Sequence, residues 1–356
     1  MDWFDGHLDL AYIALHGRDL TREPASCGGT LQPASVTFIT LAAAHVCAAY
    51  STLFVRKKTA SVSGDFCFTT DEEAHAAAMR QVEMHRAWEA GGWIRLVVPT
   101  PSSAGTGAQQ QTANLGDSFS PSPSDDRLKP ELQATLKREL RTTLAMEGAA
   151  CLRSIDDIDA FYAAGVRMVA LAWAEGSRWA GGDQSGGDVS SDGKQLIARL
   201  DELGIIHDVS HLSEKAFWTL LETARGPVAA SHSNCRALLP DAKNPERHLS
   251  DAQIRALAAR GGKIGINFFA RFLIPAAELS TRRPTVADVV RHMTHIETLA
   301  GRRDILALGS DMDSGFGTEL LPADLQGPED LARLAEALSD AGWSDLEIQT
   351  FAWGWA

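Results

Sequence analysis

Positive charge is scarce in this chain: 33 lysines and arginines face 46 aspartates and glutamates, for a formal net charge of −13. Nucleic-acid binding draws on cationic surfaces that release counterions, so a chain of this sign with no basic run excludes a phosphate-backbone partner. Cysteine is also sparse, and Cys27, Cys47, Cys67, Cys151 and Cys235 form no CxxC pair. Their odd number does not suit a disulfide framework, and reduced, mostly buried thiols are expected. Long apolar runs are missing, none reaching the roughly 18 residues of a membrane span. No cationic and apolar leader precedes the first motif at Asp5-Gly6-His7. The expectation is a cytoplasmic protein with no membrane partner. There is no internal repeat.

What the chain does have is apolar content, 45% of 356 residues, which suits one large α/β barrel over 1–356 better than two small domains. Short β-branched or apolar runs recur at Phe4–Leu10, Val36–Ala42, Ile94–Val98, Thr142–Glu147, Met168–Trp173, Ile205–Val209, Val228–His232, Lys263–Phe268 and Ile305–Asp311. Between them lie stretches of helical period, among them Asp71–Ala90, Ser154–Ala164, Gly193–Leu203, Ser213–Ala224, Ser250–Arg260 and Val286–Ala300. Ser213-Glu214 and Ser250-Asp251 put a capping hydroxyl and an acid at a helix start. The alternation predicts a parallel sheet with helical crossovers, a TIM-type (β/α)₈ barrel, with Ile94–Val98 as the surplus strand outside it. The segment 99–130 is rich in Ser, Pro, Gly, Gln and Asp and nearly free of apolar residues, which predicts a low-complexity surface insertion, with a lid as the alternative role.

Ligand-type residues gather at the ends of these strand candidates. His7 and Asp9 are two apart on a predicted strand and share a face. Glu147 closes the run Thr-Thr-Leu-Ala-Met-Glu, where a carboxylate is costly unless paired or metal-bound. His207 and His211 follow Gly204-Ile205-Ile206, His232 follows Pro227-Val228, and Asp311 follows Ala307-Leu308-Gly309-Ser310. In a parallel barrel such strand ends converge on one mouth. Among the other conspicuous residues, His207 reads as a structural or supporting histidine and His295 as packed or solvated. Asp313 reads as a supporting or turn residue, and Trp173 and Trp179 as candidates to line the pocket.

With these motifs in hand, the chain resembles the renal or membrane dipeptidase family of zinc peptidases, relatives of the amidohydrolases. The resemblance runs from Asp5-Gly6-His7-Leu8-Asp9 to Gly309-Ser310-Asp311-Met312-Asp313, nearly the whole chain. It implies two zinc ions per chain, with His7 and Asp9 on one, His211 and His232 on the other, and Glu147 bridging. Asp311 matches the aspartate assigned to proton transfer, and Arg247 in Glu246-Arg247-His248 matches the arginine that holds the substrate's terminal carboxylate. Where vertebrate-type members have Leu-Thr-His, this chain has Leu171-Ala172-Trp173, which removes a carbonyl-polarising histidine and leaves Trp173 as a substrate contact. The chain stops at Trp355-Ala356, where the family continues into a closing segment, a difference expected to bear on stability more than chemistry.

Two zinc ions about 3.5–4 Å apart can share a hydroxide of lowered pKa, so attack needs no protein nucleophile. A nearby carboxylate can move the proton, and an arginine fork matches a free C-terminus. The implied activity is hydrolysis of dipeptides, L-D dipeptides included. The alternatives are an amidohydrolase acting on N-acyl amino acids or another small amide or lactone, and a metal-binding barrel without catalysis. A homodimer stands open beside a monomer.

Overall fold

The computed structural model describes residues 1–60, 62–97 and 139–356; the polar segment 99–130 lies outside them. In chain order the strands are β1 (Trp3–Leu8), β2 (Val46–Phe54), β3 (Arg56–Lys57), β4 (Cys67–Phe68), β5 (Ile94–Leu96) and β6 (Leu140–Glu147). They continue with β7 (Val166–Ala170), β8 (Ile206–Asp208), β9 (Val228–Ala230), β10 (Lys263–Ile266) and β11 (Leu306–Leu308). Strands β6 to β11 pair in sequence, β11 pairs with β1, β1 with β2, and β2 with β6, all in parallel. The result is a closed eight-stranded parallel barrel surrounded by helices, a TIM-type fold. Among the described residues strand β5 pairs only with the first residues of β6, at Ile94–Leu140 to Leu96–Thr142, and so stands outside the barrel, the place expected for the surplus strand.

One strand expectation is corrected. The run Val36–Ala42 is not a strand: Phe38–Ala43 is a helix whose start is fixed by a reciprocal cap, Thr37 Oγ1 accepting from Thr40 N and Thr40 Oγ1 from Thr37 N. The second barrel strand is instead Val46–Phe54, whose alanines and hydroxyls, VCAAYSTLF, hide it from a search for β-branched runs. It is nonetheless buried along almost its whole length, because helices cover one side and the barrel interior the other.

Helices Asp71–Ala90 and Val286–Ala300 have the bounds their periodicity predicts. Short helices at Leu10–Leu15, Leu331–Asp340 and Asp345–Ala352 add to the outer layer. Between barrel and helices lies the main core, while a separate apolar cluster of Phe4, Ala48, Tyr50, Ala145 and Met168 fills the barrel's lower interior. Trp353 and Trp355 pack on that cluster, and the Trp355 indole N–H donates to Leu308 O at 2.6 Å. Three strands pinch together above it. A Cβ built on Gly265 would sit 1.8 Å from Ser231 O, and one on Gly309 1.9 Å from the same oxygen. No helix among the described residues is long and apolar enough to cross a membrane.

Candidate metal centre

The parallel barrel carries its strand ends to one mouth, and the buried polar residues gather there. His7 lies near the end of β1; Asp9 lies one residue beyond it, as the N-cap of Leu10–Leu15. A turn, not strand alternation, therefore brings His7 Nε2 to 3.6 Å from Asp9 Oδ1. Glu147 is the last residue of β6, His211 follows β8, His232 follows β9 and Asp311 follows β11. Glu147 Oε1 occupies the middle, 3.1 Å from His211 Nε2, 3.6 Å from His232 Nε2 and 3.7 Å from His7 Nε2. Asp311 Oδ1 is 3.9 Å from His7 Nε2. Two triads, His7–Glu147–His232 and His7–Asp9–Asp311, each place ligand atoms within 4.8 Å of one another. His211 and Asp311 hold left-handed backbone at φ 67° and 58°, a conformation uncommon outside glycine that clusters at functional sites.

The hydrogen bonds behind these side chains decide which ring nitrogen faces the centre. Ser231 Oγ donates to Asp208 Oδ2 at 2.5 Å, so its contact of 2.7 Å with His232 Nδ1 is made by the ring N–H. That leaves the lone pair on His232 Nε2. His211 Nδ1 donates to Asp183 Oδ2 at 3.0 Å, which leaves its Nε2 in the same state. The two Nε2 atoms stand 3.0 Å apart, lone pair toward lone pair, beside a carboxylate oxygen. His7 Nε2 is buried with no hydrogen-bond partner among the described residues. Electron pairs crowd together in this way when a cation lies among them, and imidazole with carboxylate is a donor set that divalent metals such as zinc accept. These residues fit a metal ion.

The charge balance points the same way. Burial, then the charges of Asp9 and Asp311, holds the Glu147 carboxyl well above the ordinary carboxylate range. Burial and Asp9 push Asp311 up to about 7. Burial drives His7 and His232 well below the usual imidazole value and His211 down to about 4. A divalent cation among these atoms draws the carboxylates back to their charged form.

Beyond the cluster, Arg247 is 5% exposed. It donates from Nη2 to His232 O at 2.9 Å and from Nη1 to Ser233 Oγ at 3.2 Å, and Nε has no hydrogen-bond partner among the described residues. The acids beside it in sequence do not take it up, since Glu246 accepts from Glu214 N and Asp251 pairs with His295, but Asp183 Oδ2 lies 3.9 Å from its Nε. Half-buried Trp173 sets its ring 5.7 Å from that of His211 and lies under the Arg56 guanidinium at 4.7 Å. Trp179 does not line the mouth; it is 1% exposed and donates to Ala149 O. His207 points away to Asp201 at 2.7 Å. Asp313 is fully buried, with Oδ2 accepting from Arg18, Ser35 N and Val36 N.

Several supporting residues carry no motif. Thr52 donates to Asp9, and Asn267 Nδ2 donates to Asp311 Oδ2 at 2.7 Å. Asp183 and Ser231 hold the histidines. Asn267 sits just past β10, the same strand-end position that singles out His232, and is legible on that ground; Asp183 lies in a long loop and has no such signal.

A parallel barrel with this cluster at its mouth is a metal-dependent hydrolase fold. The model of the membrane dipeptidase family, peptidase family M19, matches residues 113–356, and the chain belongs to that family of metallopeptidases. His7 and Asp9 precede the matched stretch. Among relatives, the chain is 34% identical over 205 residues to an uncharacterized protein in the pqqA 5′ region of Klebsiella pneumoniae, covering 55% of this chain and 72% of that one. It is 33% identical over 178 residues to the dipeptidase tcpJ of Claviceps purpurea, 49% of this chain but only 38% of the relative. Among solved structures, a metallo peptidase from Rhodobacter sphaeroides, liganded with a phosphinate mimic of the dipeptide L-Ala-D-Ala, superposes with TM-score 0.75 at 21% identity over 100% of this chain and 97% of that chain. An amidohydrolase from Pseudomonas aeruginosa gives 0.67 at 15% identity, over 99% and 94%. At those identities the likeness is one of fold.

Proposed function

We propose that residues 1–356 act as one catalytic unit, a dipeptidase using two zinc ions held by His7, Asp9, Glu147, His211 and His232. The observation that carries the reading is the pairing of the Glu147-centred cluster with Arg247, a buried guanidinium bonded to the carbonyl of His232 itself. Zinc, when bound, polarises a carbonyl and makes water more acidic. The chain's own residues do the rest. Arg247, whose hydrogen bonds within the described residues go to His232 O and Ser233 Oγ, binds the substrate's terminal carboxylate, which favours short peptides with a free C-terminus. Asn267 fixes Asp311 through Oδ2, leaving Oδ1 on the His7 side to take a proton and return it to the departing amine. Trp173 places an apolar ring beside His211. The metallo peptidase bound to an L-Ala-D-Ala mimic motivates the inclusion of L-D dipeptides among the substrates.

The test is turnover of L-L and L-D dipeptides, their C-terminal amides and N-acyl amino acids by the zinc-loaded protein. Arg247→Ala should lower kcat/KM for a free dipeptide by at least ~2 kcal/mol, as loss of a charge-assisted pair does. Amidation should cost the wild type a similar amount and the variant little more. Equal hydrolysis of free and amidated dipeptides by the wild type rejects carboxylate recognition and favours a general amidohydrolase.

A further inference from the structure

Asp183 stands between the two halves of the site. Its Oδ2 accepts from His211 Nδ1 at 3.0 Å and lies 3.9 Å from Arg247 Nε. Its Oδ1 accepts from Asn244 Nδ2 at 2.7 Å, and Asn244 opens the short turn Pro245–Arg247 that presents the arginine. Its backbone N–H donates to His211 O at 2.8 Å, so Asp183 grips both ends of a residue held at φ 67°. The segment around it is fixed in turn. Gly182 bridges to Leu212, and a Cβ on Gly182 would meet Trp173 O at 2.2 Å.

We infer that Asp183 is a positioning residue that couples metal retention to substrate recognition, one carboxylate aligning the His211 imidazole and the Arg247 guanidinium together. The inference rests on the dipeptidase reading above. Through His211 it fixes the tautomer and aims Nε2 at the Glu147 cluster. Through its charge facing Arg247 Nε and its bond to Asn244 it sets the rotation of the guanidinium fork, since the arginine's two hydrogen bonds both go to the His232–Ser233 strand end. Arg247 Nε, buried and without a hydrogen-bond partner, faces the same oxygen that His211 uses. Movement of that oxygen is therefore felt by both.

Two readouts test the coupling on the full zinc-loaded chain: zinc release to a chelator, and the ratio of kcat/KM for a free dipeptide to that for its amide. Asp183→Ala should speed zinc release by about 10-fold or more, the usual cost of losing a partner behind a metal ligand, and should shrink the free-to-amidated ratio several-fold. Asp183→Asn, which keeps an accepting oxygen for His211 but cancels the charge facing Arg247, should shrink the ratio with a smaller change in zinc release. A merely structural aspartate would lower the melting temperature and leave the ratio at its wild-type value, and that result overturns the inference. So does a shift of only one readout in the alanine variant, because the carboxylate would then serve a single partner. If Asp183→Ala does not fold, Asn244→Ala decides, with both readouts moving in the same directions by less; no movement there refutes the coupling. Should the wild type itself be indifferent to amidation, the dipeptidase reading has failed, and zinc release alone then decides Asp183's role toward His211.

Discussion

The two ends of the barrel are built from the same strands and have opposite chemistry. On three of them a step of two residues, which keeps the side chain on one face, leads from an apolar floor to a polar mouth: Tyr50 to Thr52, Ala145 to Glu147, Ile206 to Asp208. The floor is closed by aromatic packing, with Phe4 stacked on Tyr50 at 5.5 Å, Trp353 edge-on to Phe4 at 6.1 Å and Trp355 edge-on to Tyr50 at 6.0 Å. The mouth holds buried acids and imidazoles, with non-glycine residues in left-handed backbone at His211, Asp311 and Asp313. This division predicts that stability rests on the floor and chemistry on the mouth, so that each can be changed without the other.

That division can be broken or sharpened by four measurements. Glu147→Gln has the largest expected effect. Metal content and turnover should fall together, by more than the ~10²-fold that loss of an outer partner costs, while the melting temperature of the metal-free protein holds or rises. An unchanged metal content in this variant would sink the bridging role. Asp311→Asn should keep its metal and lose roughly 10²-fold in kcat, as removal of an acid–base group does; near-normal turnover across pH 6–9 would move proton transfer elsewhere.

At the floor, Trp355→Ala should cost roughly 2–3 kcal/mol of stability, less than a fully buried aromatic because Trp355 is only partly buried. Its kcat should stay within about twofold of the wild type. Denaturant unfolding beside steady-state kinetics reads both, and a large fall in kcat would show that floor and mouth are coupled. The smallest effect belongs to neither end. His85 is buried between helix and barrel, with Nε2 2.7 Å from Ser51 Oγ and Nδ1 2.7 Å from Gln81 O, and burial lowers it to about 4. Its folded value is depressed, so the unfolded chain binds the extra proton. The stability it contributes is present above the unfolded value near 6.5 and is lost as pH falls toward 4, roughly 2 kcal/mol between pH 7.5 and 5. In His85→Gln this part of the acid sensitivity should be missing; an identical pH slope in the two proteins would assign it to other groups.

How far sequence reaches differs in the same way. Glu147, His211, His232 and Asp311 are legible because a polar residue ending an apolar run is conspicuous and a parallel barrel sends every such end to one place. His7 and Asp9 are legible as a pair, though a turn after β1 and not strand alternation joins them. Val46–Phe54 escapes because alanines and hydroxyls suffice for a strand whose neighbours supply the burial. Asp183 and Asn244 escape because loop residues meet through tertiary structure alone, and their separation of 61 positions has no period to betray it. The floor escapes for a related reason: Trp353 and Trp355 follow the last helix, and nothing local says which cavity they enter.

The pinch at Ser231 O has a consequence for how this chain tolerates change. Gly265 and Gly309 each leave less than 2 Å for a first side-chain carbon, against backbone that cannot step aside. In a library carrying every substitution at every position, these two columns should be as empty as that of Glu147, although a glycine has no side-chain atom to offer to catalysis. Intolerance at a barrel strand end is thus of two kinds, one set by the reaction and one by the width of the wall, and only the second should show up equally in a screen for folding and a screen for turnover.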